Sequence, residues 1–331
     1  MKLQIIYNNW SNELNKQLDD FLTAWFDNTD IIQQHTSGST GIPKEIALQK
    51  KHMSASAQLT GKYFQLQANQ TALICLSPEF IAGKMMIVRA LELNLGVILT
   101  SPANPFDFPD NLTIDFCAMV PLQVENALVS NPTKLVQIRS LIIGGAQIHP
   151  SLEDKLNTIN VNAFATFGMT ETTSHIAIRK IAQFPQPYQA LDNINFSLGN
   201  EAQLIIHAPE LGIDSLVTND RVDLLTNQTF FWKGRLDFVI NSGGIKFHPE
   251  VIEYKLARLI PERRFFIAGK TDDRLGNKIV LYIEGKQPIA KSDFSTVLEK
   301  YEIPKEIIYI SQFSETTNGK INRLLTIKQS D

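Results

Sequence analysis

The sequence predicts an α/β protein: a large layered domain followed by a small α+β domain. Three observations predict it. Between residues 45 and 167, short apolar strand-like runs alternate with longer helix-like runs, the pattern of a layered, largely parallel sheet. Three glycine-bearing segments, SGSTG, IIGGA and FGMTE, fall at the ends of strand-like runs, where ligands sit in open α/β sheets. From about residue 195 the texture changes to short alternating strands separated by turns.

The elements follow in order. EIALQ alternates like a strand, and KKHMSASAQLTGKYFQ has the periodicity of a helix. TALICLS reads as a buried strand, GKMMIVRALELN as a helix and GVILTS as a strand. DFCAMV is a further strand, VENALVS a short helix, and SLIIGG a strand that ends in glycines. PSLEDKLNT is a helix and VNAFATF a strand. FSLGNEAQLIIHAPELGIDSLVTNDRVDLL and QTFFWKGRLDFVINSGG then predict an antiparallel or barrel-like piece. Helix EVIEYKLARLI, strands RFFIAGK and KIVLYIEGK, helix FSTVLEKYE and strand EIIYIS close the chain, a unit of ordinary domain size. The boundary is expected between Gly234 and Asp237, giving domains 1–235 and 236–331.

Composition narrows the function. The chain has 331 residues, 44% hydrophobic and 20% charged, with net charge −3, so it can bury a sizeable core and has no basic excess for nucleic acid. MKLQIIYNNWSNELNK carries charges and amides where a signal peptide needs an apolar run. The most apolar window, IAGKMMIVRALELNLGVILT, is broken by Lys84, Arg89 and Glu92, which argues against a membrane span. Cys75 and Cys117 sit in apolar runs and read as small core residues. A reducing cytoplasm is the expected compartment, with no stable membrane association.

The densest chemical signal is HTSGSTGIPK, residues 35–44. Glycines let a backbone approach a ligand closely. Hydroxyls, backbone N–H groups and a lysine can ring a phosphate. The spacing differs from the common phosphate loop, which joins strand to helix, because the segment after Lys44 reads as a strand. On these residues alone a Ser/Gly hairpin loop is an equal alternative.

Six segments in order remove that ambiguity: TSGSTGIPK at 36–44, IGGAQI at 143–148, FGMTE at 167–171, TND at 218–220, GRLDFVINSGG at 234–244 and NGKINR at 318–323. Together they resemble the adenylate-forming superfamily of acyl-CoA synthetases, peptide-synthetase adenylation domains and luciferases. The resemblance runs from about residue 33 to 323. It implies ATP, Mg²⁺ and CoA as the small molecules handled, with a carboxylic acid as substrate. Thr36, Ser37, Gly38, Ser39, Thr40, Gly41 and Lys44 would hold the β- and γ-phosphates. Gly144, Gly145 and Ala146 would let the backbone approach adenine and the acyl group. Phe167 stands where the family usually has a tyrosine on adenine, followed by Gly168, Met169 and Thr170. Glu171 would bind Mg²⁺, a hard cation that prefers oxygen ligands; the plain alternative is a helix-start glutamate favoured by the dipole.

The resemblance also implies that Asp220 accepts from the ribose hydroxyls and that Arg235 reaches ribose or phosphate. Asn219 replaces a family glycine, and Asn tolerates positive φ. Lys320 would stabilise charge on the α-phosphate during adenylation. Asp237 would be the hinge, and Gly243 and Gly244 would enter for the thioester step, by the kind of rotation a few hinge residues absorb.

The phosphate segment begins at residue 36, early for this superfamily, so an N-terminally shortened adenylate-forming fold is expected. GMTETTSHIAIR and PEFIAGKMMIVRAL are similar to o-succinylbenzoate–CoA ligases. Phe80 stands where many members have His or another aromatic. Lys84, Arg89, Ser174 and His175 are candidates for holding a second carboxylate, since a buried carboxylate needs partners. The alternative puts Lys84 and Arg89 on a solvated helix face. A different acyl-CoA synthetase, an adenylation module or a nucleotide-binding relative without chemistry stays open as the competing reading.

Overall fold

The computed structural model describes residues 2–35, 45–181, 186–260, 263–285, 291–315 and 321–329. Six parallel strands make one half of a large sheet. In spatial order they are Gln4–Asn8, Gly96–Leu99, Thr71–Ile74, Phe116–Met119, Ser140–Ile143 and Ala163–Gly168. The central four of these read as continuous apolar runs because both faces are covered. Alternate side chains serve opposite faces. Ala72 and Ile74 join a core with Met53, Met85 and Val88 from helices Lys50–Phe64 and Ile81–Glu92. Leu73 and Cys117 join the opposite core with Val124, Leu152 and Leu156 from helices Pro121–Ser130 and Pro150–Thr158. Cys75 and Cys117 are both free and buried.

Residues before the first glycine segment are not idle. Ser11 accepts from the Leu14 N–H at 3.3 Å and caps helix Asn12–Phe26, a favoured N-cap arrangement. That helix lays Leu18, Phe21 and Trp25 on the sheet. Gly96 packs closely under the edge strand: a Cβ there would lie 2.4 Å from Ile6 Cδ1.

The expectation of a separate antiparallel or barrel-like piece is corrected. His175–Ile181 runs antiparallel to Ala163–Gly168. Tyr188–Ala190, Thr229–Arg235, Ile213–Thr226, Gln203–Ala208 and Asn195–Leu198 continue outward, so all twelve strands form one sheet. The change of direction comes at residue 175, about twenty residues before the change of texture. His175–Ile181 is buried along most of its length, so it lacks the alternation that would have marked it as antiparallel.

A second sheet holds Ile240–Ser242, Ile245–Phe247, Phe265–Asp272, Gly276–Glu284 and Glu306–Ile310. Helix Pro249–Leu256 covers one face through Ile252 and Leu256. Phe266, Tyr282 and Phe313 pack on the other, with Phe266 and Tyr282 stacked at 4.9 Å. Strand Thr229–Arg235 is the last of the large sheet in sequence and Ile240–Ser242 the first of the small one, joined by the 3-10 turn Leu236–Phe238. The helix expected over FSTVLEKYE is instead a 3-10 segment, Lys291–Thr296, followed by turns. Ser295 and the β-branched pair Thr296–Val297 are poor helix interior, and Val297 N–H bonds three residues back to Phe294 O at 3.2 Å. No helix among the described residues is long and apolar enough to cross a membrane.

Candidate active site

Two of the three glycine segments lie at the C-terminal ends of the parallel strands Ser140–Ile143 and Ala163–Gly168; SGSTG lies outside the described residues, between the antiparallel strands Ile31–His35 and Glu45–Gln49. Gly144 follows Ser140–Ile143 and donates its N–H to Met119 O at 3.1 Å. A Cβ on Gly144 would lie 2.3 Å from Thr166 Oγ1, and Gly145 has φ +82°, so the turn excludes larger residues. Gly145 and Ala146 are exposed, which leaves bare backbone facing outward beside the neighbouring strand end.

That neighbour ends at Phe167 and Gly168. The Phe167 ring is half-buried, 5.2 Å from Phe230 edge to face and 5.9 Å from Tyr188. The chain then folds back on itself. A Cβ on Gly168 would lie 2.3 Å from Ser174 O and 2.5 Å from His175 Cα. Between them runs the 3-10 turn Thr170–Thr172. Met169 N–H donates to Thr172 Oγ1 at 2.9 Å. Glu171 is exposed at the tip of this turn, and no ion pair involving it occurs among the described residues.

Asp220 lies within the strand Ile213–Thr226, opposite Arg235. The turn expected at Asn219 is therefore replaced by extended backbone, and Asn219 has no positive φ. Asp220 is 6% exposed and accepts from Trp232 Nε1 at 2.8 Å. Burial pushes its carboxyl above the ordinary value, opposed by Trp232 and Arg235. Arg235 Nη2 pairs with Asp237 Oδ2 at 2.6 Å, while its Nε is buried without a partner among the described residues. Its N–H reaches Glu250 Oε1 at 3.4 Å. Glu250 is 4% exposed; burial and the neighbouring Glu253 raise its pKa to about 7. Gly243 and Gly244, with φ +59° and +81°, form the exposed two-residue turn of a hairpin, which needs positive φ at both positions. They make the turn between strands, where the sequence reading expected strand.

The second constellation is wholly buried. Arg89, near the end of helix Ile81–Glu92, is 2% exposed. This overturns the solvated-face alternative for it. Its Nε donates to Thr60 Oγ1 at 3.2 Å and its Nη2 to Ser174 Oγ at 2.6 Å, with His175 Nδ1 3.4 Å away. Among the described residues its Nη1 meets only Met86 Sδ, at 3.8 Å. Burial brings its pKa down to about 9. No carboxylate among the described residues compensates the charge. Thr60 donates to Ser56 O at 3.0 Å, so it accepts from Arg89 Nε and faces His175 Nε2 at 3.2 Å as a second acceptor. The network thus assigns the proton of His175 to Nε2 and leaves Nδ1 to accept. Burial and the Arg89 charge hold the His175 pKa well below the usual range, which keeps that imidazole neutral.

Lys84 does not join this group. Its ammonium donates to Gln34 Oε1 at 2.7 Å and lies 3.5 Å from Gln33 O, beside the strand Ile31–His35. Phe80 is the half-buried N-cap of the same helix. The helix separates the two cations because positions 84 and 89 are five residues apart, and neighbours on one face are three or four apart. Thr36, Ser37, Gly38, Ser39, Thr40, Gly41, Lys44 and Lys320 lie outside the described residues. Thr60, Trp232 and Glu250 were not read from the sequence. Thr60 looks like an ordinary helix residue, and only the fold brings it to Arg89. Two surface clefts, of about 380 Å³ beside Phe108 and Lys134 and about 270 Å³ beside Lys62 and Asp192, collect none of these residues.

A parallel sheet whose strand ends carry glycine turns, an exposed glutamate and a buried Asp220 facing Arg235 defines the architecture of adenylate-forming proteins. The chain belongs to the AMP-binding enzyme family, whose match covers residues 7–205. It is 24% identical over 274 residues to 2-succinylbenzoate–CoA ligase of Haemophilus influenzae, covering 78% of this chain and 60% of that protein. It is 24% identical over 326 residues to the Enterococcus faecalis ligase of the same name, covering 87% and 67%. Among solved structures, an acyl-CoA synthetase (AMP-forming)/AMP-acid ligase II-like protein from Dyadobacter fermentans is 32% identical, with TM-score 0.64 and coverage of 98% and 96%. O-succinylbenzoate coenzyme A synthetase of Bacillus subtilis, solved with ATP and magnesium, shares the fold at 18% identity and TM-score 0.78, covering 89% and 69%. The chain thus spans 60% of the length of the Haemophilus relative and nearly all of the Dyadobacter one.

Proposed function

We propose that the protein is an ATP-dependent acid–CoA ligase that activates an aromatic dicarboxylate of the o-succinylbenzoate type, the step that supplies menaquinone synthesis. One observation carries the substrate class: a guanidinium, 2% exposed, that holds Ser174 and His175 but no carboxylate among the described residues. A buried unpaired charge is costly. It is explained when the missing anion belongs to the substrate. Nη1 of Arg89, whose partner among the described residues is Met86 Sδ, is the donor left to meet it, while Ser174 Oγ accepts from Arg89 Nη2 and lies 3.5 Å from His175 Nδ1.

The reaction has two halves. The substrate's other carboxylate attacks the α-phosphorus of ATP, and pyrophosphate leaves. The thiol of CoA then attacks the acyl carbon, the thioester forms, AMP leaves and the thiol proton goes to solvent. Asp220 accepts the ribose hydroxyls, and Arg235 sits beside it on the neighbouring strand. Gly144 and Gly145 admit the nucleotide against bare backbone. Glu171 is a single exposed carboxylate, which suits Mg²⁺ held mainly by phosphate oxygens and water; the ion neutralises phosphate charge when bound. Thr36 to Gly41, with Lys44, hold the phosphates, and Lys320 supports the adenylation step. Residues 1–235 form the AMP-binding domain, and 236–331 turn about Asp237 to bring Gly243 and Gly244 in for thioester formation. The compartment in this reading is the cytoplasm.

The closest alternative is a ligase for monocarboxylates. The discriminating experiment compares kcat/KM, with ATP and CoA, for o-succinylbenzoate, 3-benzoylpropionate (the same keto acid without the ring carboxylate) and a medium-chain fatty acid. The reading expects the dicarboxylate to lead by at least about 10²-fold, the scale on which a polar pocket rejects an analogue that leaves its groups unpaired. Equal rates would exclude it.

A further inference from the structure

Thr173 has φ 67° and ψ −46°. A β-branched residue rarely adopts positive φ, because its Cβ crowds the backbone. Ser174 N–H donates to Thr172 O at 2.7 Å, so Thr173 is the centre of a γ-turn of the strained, positive-φ kind. It is 3% exposed. Strain of this type persists only where the surroundings over-determine it.

The turn is closed by two backbone bonds, Thr172 N–H to Met169 O at 3.2 Å and Thr173 N–H to Thr170 O at 2.9 Å, and by one side-chain hydroxyl that spans it. Thr172 Oγ1 accepts from Met169 N–H at 2.9 Å and lies 2.7 Å from Ser174 O and 3.0 Å from Met169 O. It has one proton for two carbonyls, and it bridges both sides of the turn. Thr172 is fully buried. The turn has a function-bearing residue on each side. Glu171 precedes it at the exposed tip, and Ser174 follows it with Oγ 2.6 Å from Arg89 Nη2. A relaxed, negative-φ Thr173 would redirect the chain and carry Ser174 away from the guanidinium, since Ser174 is the very next residue.

We infer that Thr172 and Thr173 are positioning residues: the Thr172 hydroxyl holds a strained γ-turn at Thr173 that sets Ser174 against Arg89, and so sets selectivity for a substrate with a second carboxylate. The inference rests on the dicarboxylate reading of the Arg89 pocket. Neither threonine touches the substrate. Their effect is on where Ser174 stands.

The test is a two-residue cycle on the full chain. The readout is the ratio of kcat/KM for o-succinylbenzoate to that for 3-benzoylpropionate. Thr172→Val keeps the shape and removes the clamp; the ratio should fall about tenfold, the size of one lost buried hydrogen bond, mainly through KM for the dicarboxylate. Thr172→Ser keeps the hydroxyl and should keep the ratio. Glycine takes positive φ without steric cost, so Thr173→Gly should keep the ratio alone. In combination with Thr172→Val it should restore the ratio to within about threefold of wild type, because an unstrained turn needs no clamp. If Thr172→Val does not fold, recovery of the folded state in the double variant makes the same point. A ratio unchanged by Thr172→Val overturns the inference alone, and so does a loss that Thr173→Gly cannot rescue. A wild-type ratio near one overturns both this inference and the dicarboxylate reading, since a turn cannot set a selectivity the pocket lacks.

Discussion

Replacing Arg89 by methionine should stabilise the free protein and abolish its substrate preference at once. The side chain is 2% exposed and carries no compensating carboxylate among the described residues. The fall of its pKa from the ordinary arginine range to about 9 corresponds to a penalty of about 5 kcal/mol on the charged form near neutral pH. Methionine removes that penalty and fits beside Met86. It also removes the donors to Thr60, Ser174 and His175, which cost about 1 kcal/mol each. The net is a gain of about 2 kcal/mol, or a rise in Tm of about 3–6 °C for a domain of this size. The sign can be checked against pH. A base whose folded pKa is depressed destabilises the fold below that value, and the penalty lifts as pH rises through about 9. The Tm advantage of Arg89→Met should therefore be constant up to about pH 9 and shrink as pH is raised above that value. In the same variant kcat/KM for o-succinylbenzoate should drop by about 3 kcal/mol, or roughly 10²-fold, because a bound carboxylate would lose its buried partner, while 3-benzoylpropionate changes little. A lower Tm with preference intact would refute the reasoning, since it would mean that the charge is already compensated and serves the fold.

Glu250→Gln should raise stability at pH 8 relative to pH 5: its carboxyl, raised to about 7 from 4.5, contributes stability below 4.5 that is lost as pH rises through 7, and Tm against pH would show the slope flattened. Glu171→Gln should weaken the dependence of adenylation on Mg²⁺, and an unchanged Mg²⁺ titration would reduce Glu171 to a turn residue. Lys320→Ala should slow acyl-adenylate formation by roughly 10²–10³-fold and spare thioester formation from supplied acyl-adenylate; equal loss in both halves would contradict a rotating domain. Asp237→Pro, which fixes φ, should slow one half-reaction more than the other, measured with the same two assays.

Most of the layered fold was legible in the sequence because strands buried on both faces make unbroken apolar runs, as TALI and SLII do, and because the helices between them are long. His175–Ile181 was harder. It is apolar and buried like its parallel neighbours, and its direction is decided by pairing with Ala163–Gly168. The Gly segments were readable because close approach and positive φ leave glycine few substitutes, as at Gly144 and Gly168. The Arg89 group was half legible. Ser174 and His175 adjoin a recognisable segment, but Lys84 and Arg89 look alike in sequence, and only helix phase sends one to Gln34 and the other into the core. Thr60 and Glu250 gave no signal, since their importance lies in partners about thirty and fifteen residues away.

The proposed activity is activation of a dicarboxylic acid as its adenylate followed by transfer to CoA. ATP–pyrophosphate exchange on the wild-type protein, run with o-succinylbenzoate alone and then with CoA while thioester is followed by mass, tests it most directly. Exchange should depend on the dicarboxylate, and the thioester should appear only when CoA is added. Absence of exchange, or exchange supported equally by a fatty acid, would contradict the proposed activity.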